Sequence, residues 1–202
     1  MAVILRNDVT GMPVIHRRHL ILSACVALCG CAGLGPPGAG LADLPQAPPG
    51  AYRLGAGDTV LLRIYDQPQL SGSFAIDDSG NIDIPLLGLV PAAGASTAGL
   101  AAAIAASLRA RNLILNPSVA IEVQKYRPFY ILGEVNTPGP YPYRPGMTVL
   151  TAISIAGGFT YRAVQDYVGV TRDAGGDAVQ YRAQISAMAA PGDVITVFER
   201  RF

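Results

Sequence analysis

From residue 52 onward, apolar positions fall mostly into short runs of period two, interrupted by two stretches with helical spacing. Thr59-Val60-Leu61-Leu62-Arg63-Ile64-Tyr65 is β-branched and aromatic and predicts a strand. Phe74–Asp77 and Ile82–Gly88 flank Asp78-Ser79-Gly80-Asn81. Asp and Asn tolerate the tight positions and Gly supplies positive φ, so these two runs predict a hairpin. In residues 96–111, Leu100, Ile104 and Leu108 recur at i+4 on one helical face, with Ser96 or Thr97 as cap. Arg109 and Arg111 suit the negative end of its dipole, and Asn112 can end it. Asn116-Pro117 then breaks the chain ahead of a half-buried strand in which Val119, Ile121 and Val123 alternate with smaller or polar neighbours.

A second series starts near Arg127. Phe129–Val135 predicts a strand. Asn136-Thr137-Pro138-Gly139 follows it, where Pro at the second and Gly at the third turn position suit a type II turn. Tyr141-Pro142-Tyr143 begins the returning segment. Thr148 caps a short helix with Val149, Leu150 and Ile153 inward, and Gly157-Gly158 ends it. Tyr167–Arg172 and Asp193–Phe198 are further strands. A small sheet with one helix across it is a β-grasp-like arrangement. The fold class expected is α+β, as two small mixed modules over residues 51–125 and 126–202. Gly57-Asp58 and Gly192-Asp193 each open a strand, which reads as shared turn chemistry rather than a shared binding role.

The N-terminus changes the picture. His16-Arg17-Arg18-His19 precedes the apolar run Leu20–Leu28. That run is too short for a bilayer, which needs roughly 20 residues, but it has the length of a secretory apolar region. It ends in Leu28-Cys29-Gly30-Cys31, which resembles a bacterial lipobox. Leu22-Ser23-Ala24-Cys25 also fits that pattern but leaves almost no apolar region before it, so Cys31 is the expected lipidation site. Residues 1–30 then form a lipoprotein signal peptide. Residues 31–50 form the lipidated cysteine and a Pro/Gly-rich tether, semi-extended at its two Pro-Pro pairs. Ala32 and Gly33 after the cysteine, rather than Asp, imply by analogy an outer-membrane location on the periplasmic face.

Composition narrows the chemistry. Lys+Arg is 15 and Asp+Glu is 14, so no basic footprint for nucleic acid is present. Beyond Cys31 there is no Cys or His, which excludes a Cys/His zinc site and a His-based triad in the body. The acidic stretch Asp77–Asp83 lacks the ligand spacing of an EF-hand. No catalytic residue, metal or cofactor is expected, and the protein is not expected to be an enzyme. Tyr126, Phe129, Tyr130, Tyr141 and Tyr143 cluster around the second module's first hairpin. Such rings can stack on sugars or pack the strands. Tyr130, Tyr141, Tyr143 and Arg144 are the candidate sugar contacts, with Arg127 and Arg162 as further candidates for acidic sugars or neighbouring subunits.

Several motifs occur in order. Tyr52 through Asp58, including Gly55, Gly57 and Asp58, is followed by Asp78, Gly80, Pro85-Leu86-Leu87-Gly88 and Asn116-Pro117. Together these resemble the export domain of the outer-membrane polysaccharide export family. Gly133-Glu134-Val135, Pro138-Gly139-Pro140-Tyr141, Gly146-Met147-Thr148 and Ala156-Gly157-Gly158 are similar to its soluble-ligand-binding β-grasp (SLBB) domain. The resemblance implies an export domain followed by one SLBB domain, and a homo-oligomeric ring through which capsular or exopolysaccharide passes. It also implies an inner-membrane polysaccharide co-polymerase as partner. Larger members continue into a membrane-crossing helix, whereas this sequence stops at Phe202, so a separate outer-membrane pore protein is expected. The alternative is a periplasmic sensor binding a glycan or small ligand.

Overall fold

The computed structural model describes residues 35–45, 52–173 and 176–201. The expected signal peptide, Cys31 and residues 32–34 and 46–50 of the expected tether lie outside them. The described residues from Pro36 onward form one compact unit. All the elements below belong to it.

The first module contains strands β1 (Thr59–Ile64), β2 (Gly72–Ala75), β3 (Asn81–Ile84), β4 (Gly88–Pro91) and β5 (Val119–Lys125), and helix α1 (Thr97–Ala110). β1 lies between β2 and β5, antiparallel to both. Its alternation puts Val60, Leu62 and Ile64 into the core. Leu100, Ile104 and Leu108 of α1 join them there. Ser96 is the N-cap, its Oγ accepting from the Gly99 amide at 3.0 Å. Asn112 ends the helix in the left-handed region, φ 54°, which Asn tolerates better than most residues.

The expected hairpin around Asp78–Asn81 is instead a corner. The Asp77 carboxylate accepts from the Asn81 amide at 2.8 Å, and Gly80 takes φ 80°. β2 then pairs with β1, while β3 pairs with β4 in a sheet of its own. Ala92 and Ala93 amides both bond the Gly80 carbonyl, which draws the chain away from a β2–β3 ladder.

The β3–β4 tip reverses through Pro85-Leu86, with the Leu87 amide bonded to the Ile84 carbonyl at 3.0 Å. Leu87 is buried, whereas Leu86 is 71% exposed at φ 66°. A non-glycine residue pays about 1–2 kcal/mol for that conformation, and Leu86 recovers little by packing. Leu86→Asn should therefore raise stability by about 1 kcal/mol, read as a higher Tm. A lower Tm would mean that the Leu86 side chain supports the fold.

The second module contains β6 (Phe129–Gly133), β7 (Gly139–Tyr141), α2 (Val149–Ile155), β8 (Tyr167–Asp173), β9 (Ala178–Gln184) and β10 (Val194–Val197). The sheet order is β7-β6-β10-β8-β9, with β10 parallel to β6 and antiparallel to β8. Phe129, Ile131, Val168, Val170, Ile195 and Val197 form a buried layer with Val149, Ala152 and Ile153 of α2. Thr148 caps α2 through its Oγ1, which accepts from the Thr151 amide at 3.2 Å. Leu150, expected inward, is 44% exposed. The buried positions 149, 152, 153 and 156 form the inward stripe, and Leu150 lies outside that i, i+3, i+4 set.

The reversal after β6 is not the expected type II turn. Gly139 has φ 155° rather than a value near +80°. The Asn136 and Thr137 amides bond the Gly158 and Ala156 carbonyls instead. The segment is thus shaped by the Gly-Gly stretch after α2.

Part of the Pro/Gly-rich segment joins this sheet. Leu44 donates to the Arg182 carbonyl and Arg182 to the Ala42 carbonyl, both at 2.7 Å, so residues 42–44 run parallel along the edge of β9. Upstream, Gly38 lies against the Phe198 ring.

Candidate functional site

The two Gly-Asp turns are built alike. Gly55 donates to Asp58 Oδ2 at 2.9 Å, and Ala190 donates to Asp193 Oδ2 at 2.7 Å. In each turn the Asp amide bonds back to the carbonyl of that same residue. Asp58 and Asp193 are the buried charged residues among those described, and such groups persist only when paired and hydrogen-bonded. Asp193 takes the Arg172 guanidinium through Nε at 2.8 Å and Nη2 at 2.7 Å. That bond holds Arg172 above the usual arginine range.

Asp58 is satisfied across the module boundary. Oδ1 accepts from the Arg127 backbone amide at 2.8 Å, and Oδ2 from the Tyr52 hydroxyl at 2.6 Å. Arg127 Nη1 lies 3.6 Å from Oδ2, and Arg127 Nε donates to the Pro191 carbonyl at 3.1 Å. One arginine therefore links the first Gly-Asp turn to the second. A Cβ at Gly55 would overlap Arg127 Nη1, and one at Gly192 would sit 2.7 Å from its Nε. The glycines are there to let the guanidinium pass.

Tyrosines continue the junction. Tyr52 meets Tyr126 edge to face at 5.0 Å between centroids, and Tyr126 meets Tyr143 at 5.4 Å. Burial, then the bond to Asp58, pushes the Tyr52 hydroxyl above its ordinary range. Burial, then the neighbouring Tyr126, raises Tyr143. Interplanar angles of 72° and 69° make this a packed ladder rather than a flat platform.

The remaining motif residues shape backbone. Glu134 accepts from Thr160 Oγ1 at 2.5 Å, holding the loop after Gly158 against β6. Gly133 sits against the Val197 carbonyl, and Gly157 against Asn136. Gly88 takes φ 68° after the β3–β4 tip. Pro138 and the Asn116-Pro117 pair lie in connections. Among the candidate sugar contacts, Tyr141 stacks on Phe129 and donates to the Thr137 carbonyl at 2.6 Å, and Tyr143 is in the ladder. Tyr130 is 43% exposed on the sheet face opposite α2, and Arg144 is exposed. Arg162 pairs with Glu199. No group of three His, Cys, Asp or Glu side chains that could hold a metal occurs among the described residues. The linking role of Arg127 was missed in the sequence, as was the edge formed by residues 42–44.

One end of the first module is apolar. α1 begins beside Leu54 and ends far from it, and Tyr65 bonds Ser118 where β1 ends and β5 begins. That end exposes Tyr65, Leu113 and Leu115, while Leu86 and Leu89 are exposed at the β3–β4 tip. Among the described residues, the non-glycine positions with positive φ are Asp66, Leu86 and Asn112, all in these reversals.

Comparisons with known proteins match the two modules separately. Residues 46–124 match the polysaccharide biosynthesis/export protein family, and residues 128–183 match the SLBB domain. Residues 46–183 thus carry the export and SLBB domains of the polysaccharide export family. It is similar to the exopolysaccharide production protein ExoF of Rhizobium meliloti (strain 1021), with 34% identity over 176 residues. The aligned region covers 79% of this chain and 40% of ExoF. The SLBB match stops at residue 183, short of β10 in the middle of the sheet.

Proposed function

We propose that the chain is a lipid-anchored, periplasm-facing component of an exopolysaccharide or capsule export channel. The observation that carries this reading is the ordered pair of export and SLBB modules, tied through Arg127 rather than joined by a free linker. Copies assemble as a ring through which polymer passes, served by an inner-membrane co-polymerase and a separate outer-membrane pore. The exposed apolar end of the export module supports burial against another protein surface. No helix among the described residues is long and apolar enough to cross a membrane, which suits anchoring by acyl chains at Cys31.

Polysaccharide inside and outside the cell, measured in a clean deletion strain with complementation, tests the role. Extracellular polymer should fall while periplasmic polymer or precursor accumulates; unchanged secretion would discard it. Cys31→Ser should leave a folded protein that fractionates away from membranes. If the variant stays as membrane-bound as wild type, the anchor is not at Cys31.

A further inference from the structure

Strand pairing in the second module lines up one uncharged patch. Tyr130 is in register with Pro140 of β7 on one side and Val194 of β10 on the other, and Val194 with Thr171 of β8. Leu132 is in register with Thr196 one row along. Phe129, Ile131, Ile195 and Val170 point to the α2 side, so by alternation these six side chains point away from it. Tyr130 is 43% exposed and Leu132 48%. Pro140 is exposed, and Val194, Thr196 and Thr171 are half-buried. A sheet face turned to water ordinarily carries polar side chains. Here both faces are largely apolar, and none of the six positions is charged.

The other half of this face holds the start of the compact unit. The Phe198 ring lies where a Cβ of Gly169 would point, away from α2, and Gly38 lies against the same ring. The chain is fixed there. The Ala39 amide bonds the Pro36 carbonyl and the Leu41 amide the Gly38 carbonyl, both at 3.1 Å, before residues 42–44 pair with β9. Leu44 then packs against the core of the second module. Only residues 32–35 separate Pro36 from Cys31, five Cα steps that span at most roughly 18 Å. Acyl chains at Cys31 would thus start close to the Phe198 side of the sheet. To bring the outer side of α2 to the same membrane, that short span would have to pass the sheet and a helix about 10–12 Å thick.

We infer that the face from Pro140 and Tyr130 across to Thr196 rests on the lipid surface that holds Cys31. The inference rests on the reading of Cys31 as acylated, and it names the surface that the anchor brings to the bilayer. A tyrosine ring suits the headgroup level, where one end is apolar and the other wet. Leu132 and Val194 add apolar area, and the lack of charge on the patch spares it a desolvation cost. Contacts of this kind sit about 5–10 Å deep, at the boundary of headgroups and acyl chains. The patch is small and would bind weakly alone, but a short link to the anchor keeps its effective concentration at the membrane high. The acyl chains supply affinity, and the face supplies orientation.

The test places nitroxide labels on the mature full chain, extracted from cells and returned to phosphatidylethanolamine/phosphatidylglycerol vesicles. The cysteines of the sequence are Cys25, Cys29 and Cys31. Signal cleavage and acylation leave none of them free, so Leu132→Cys and Leu150→Cys each carry one label. Leu150, 44% exposed on α2, is a control of similar exposure on the other side of the module. The label at 132 should be reached by dissolved oxygen more readily than by a water-soluble nickel chelate, and the label at 150 the reverse. Adding Tyr130→Glu should hand the 132 label over to the nickel chelate with an unchanged Tm. Three results would each overturn the inference: a 132 label open to water in vesicles, a 150 label immersed in lipid, or strong spin–spin broadening between 132 labels, which would mean that a second copy covers the face. The mass of the mature N-terminal peptide judges the anchor separately. Acyl chains at Cys31 with the 132 label in water discard the face and keep the anchor; no acyl chains discard both.

Discussion

Asp58→Ala is expected to lower unfolding free energy by about 3–5 kcal/mol, the usual cost of breaking a buried ion pair from one side. The substitution strands three donors at once: the Gly55 amide, the Arg127 amide and the Tyr52 hydroxyl. The Arg127 guanidinium also loses its carboxylate while held against the Pro191 carbonyl. Urea denaturation, followed by far-UV dichroism, gives the value. The same trace reports on coupling, since loss of the link should split one transition into two as the modules unfold separately. Asp58→Asn keeps an acceptor and should lose less. A midpoint unchanged in Asp58→Ala would show that the turn closes without its carboxylate.

Gly133→Ala is expected to be of similar severity for a different reason. Gly133 has φ 87°, and a Cβ there would overlap the Val197 carbonyl. That oxygen accepts from the Glu134 amide at 3.0 Å, at the end of the β6–β10 pair, so backbone on both sides would have to move. The left-handed conformation costs about 1–2 kcal/mol, and overpacking about 1–3 kcal/mol more. Gly88→Ala is the control, because Gly88 has φ 68° but open space around it. It should show only the conformational part. Equal Tm losses in the two variants would mean that the Val197 contact is unimportant.

The legible parts of this fold were those with local causes. Leu100, Ile104 and Leu108 mark α1 because burial of one stripe imposes the period, and Ser96 and Thr148 mark their caps by chemistry that reaches only three residues. β1, β5, β6, β8 and β10 sit inside sheets or under helices and carry matching apolar runs. β9 was missed because it is near the edge and largely polar, with Ala183 its one buried residue. The Asp78–Asn81 turn was legible, but strand partnership was not, since that is settled by which sheet each arm joins. Arg127 defeats local reading most clearly: its partners are 69 and 64 residues away, one on each side. Gly-Glu-Val and Ala-Gly-Gly marked the right family, yet their physical roles, a glycine under a carbonyl and amides bonded across a loop, needed the coordinates.

The central place of β10 sets an order of assembly. β6 and β8 never pair with each other; each pairs with the strand nearest the C-terminus. Residues 52–125 hold every strand and helix of the export module, so that half can close while the rest of the chain is still being made or threaded across a membrane, as domains do when they fold in turn from the N-terminus. The SLBB half must wait, with two strand edges open, until residues 194–197 arrive. The Arg127 link to Pro191 also forms only then. Truncation just before Val194 should therefore leave a folded first module followed by an unpaired, protease-sensitive second one.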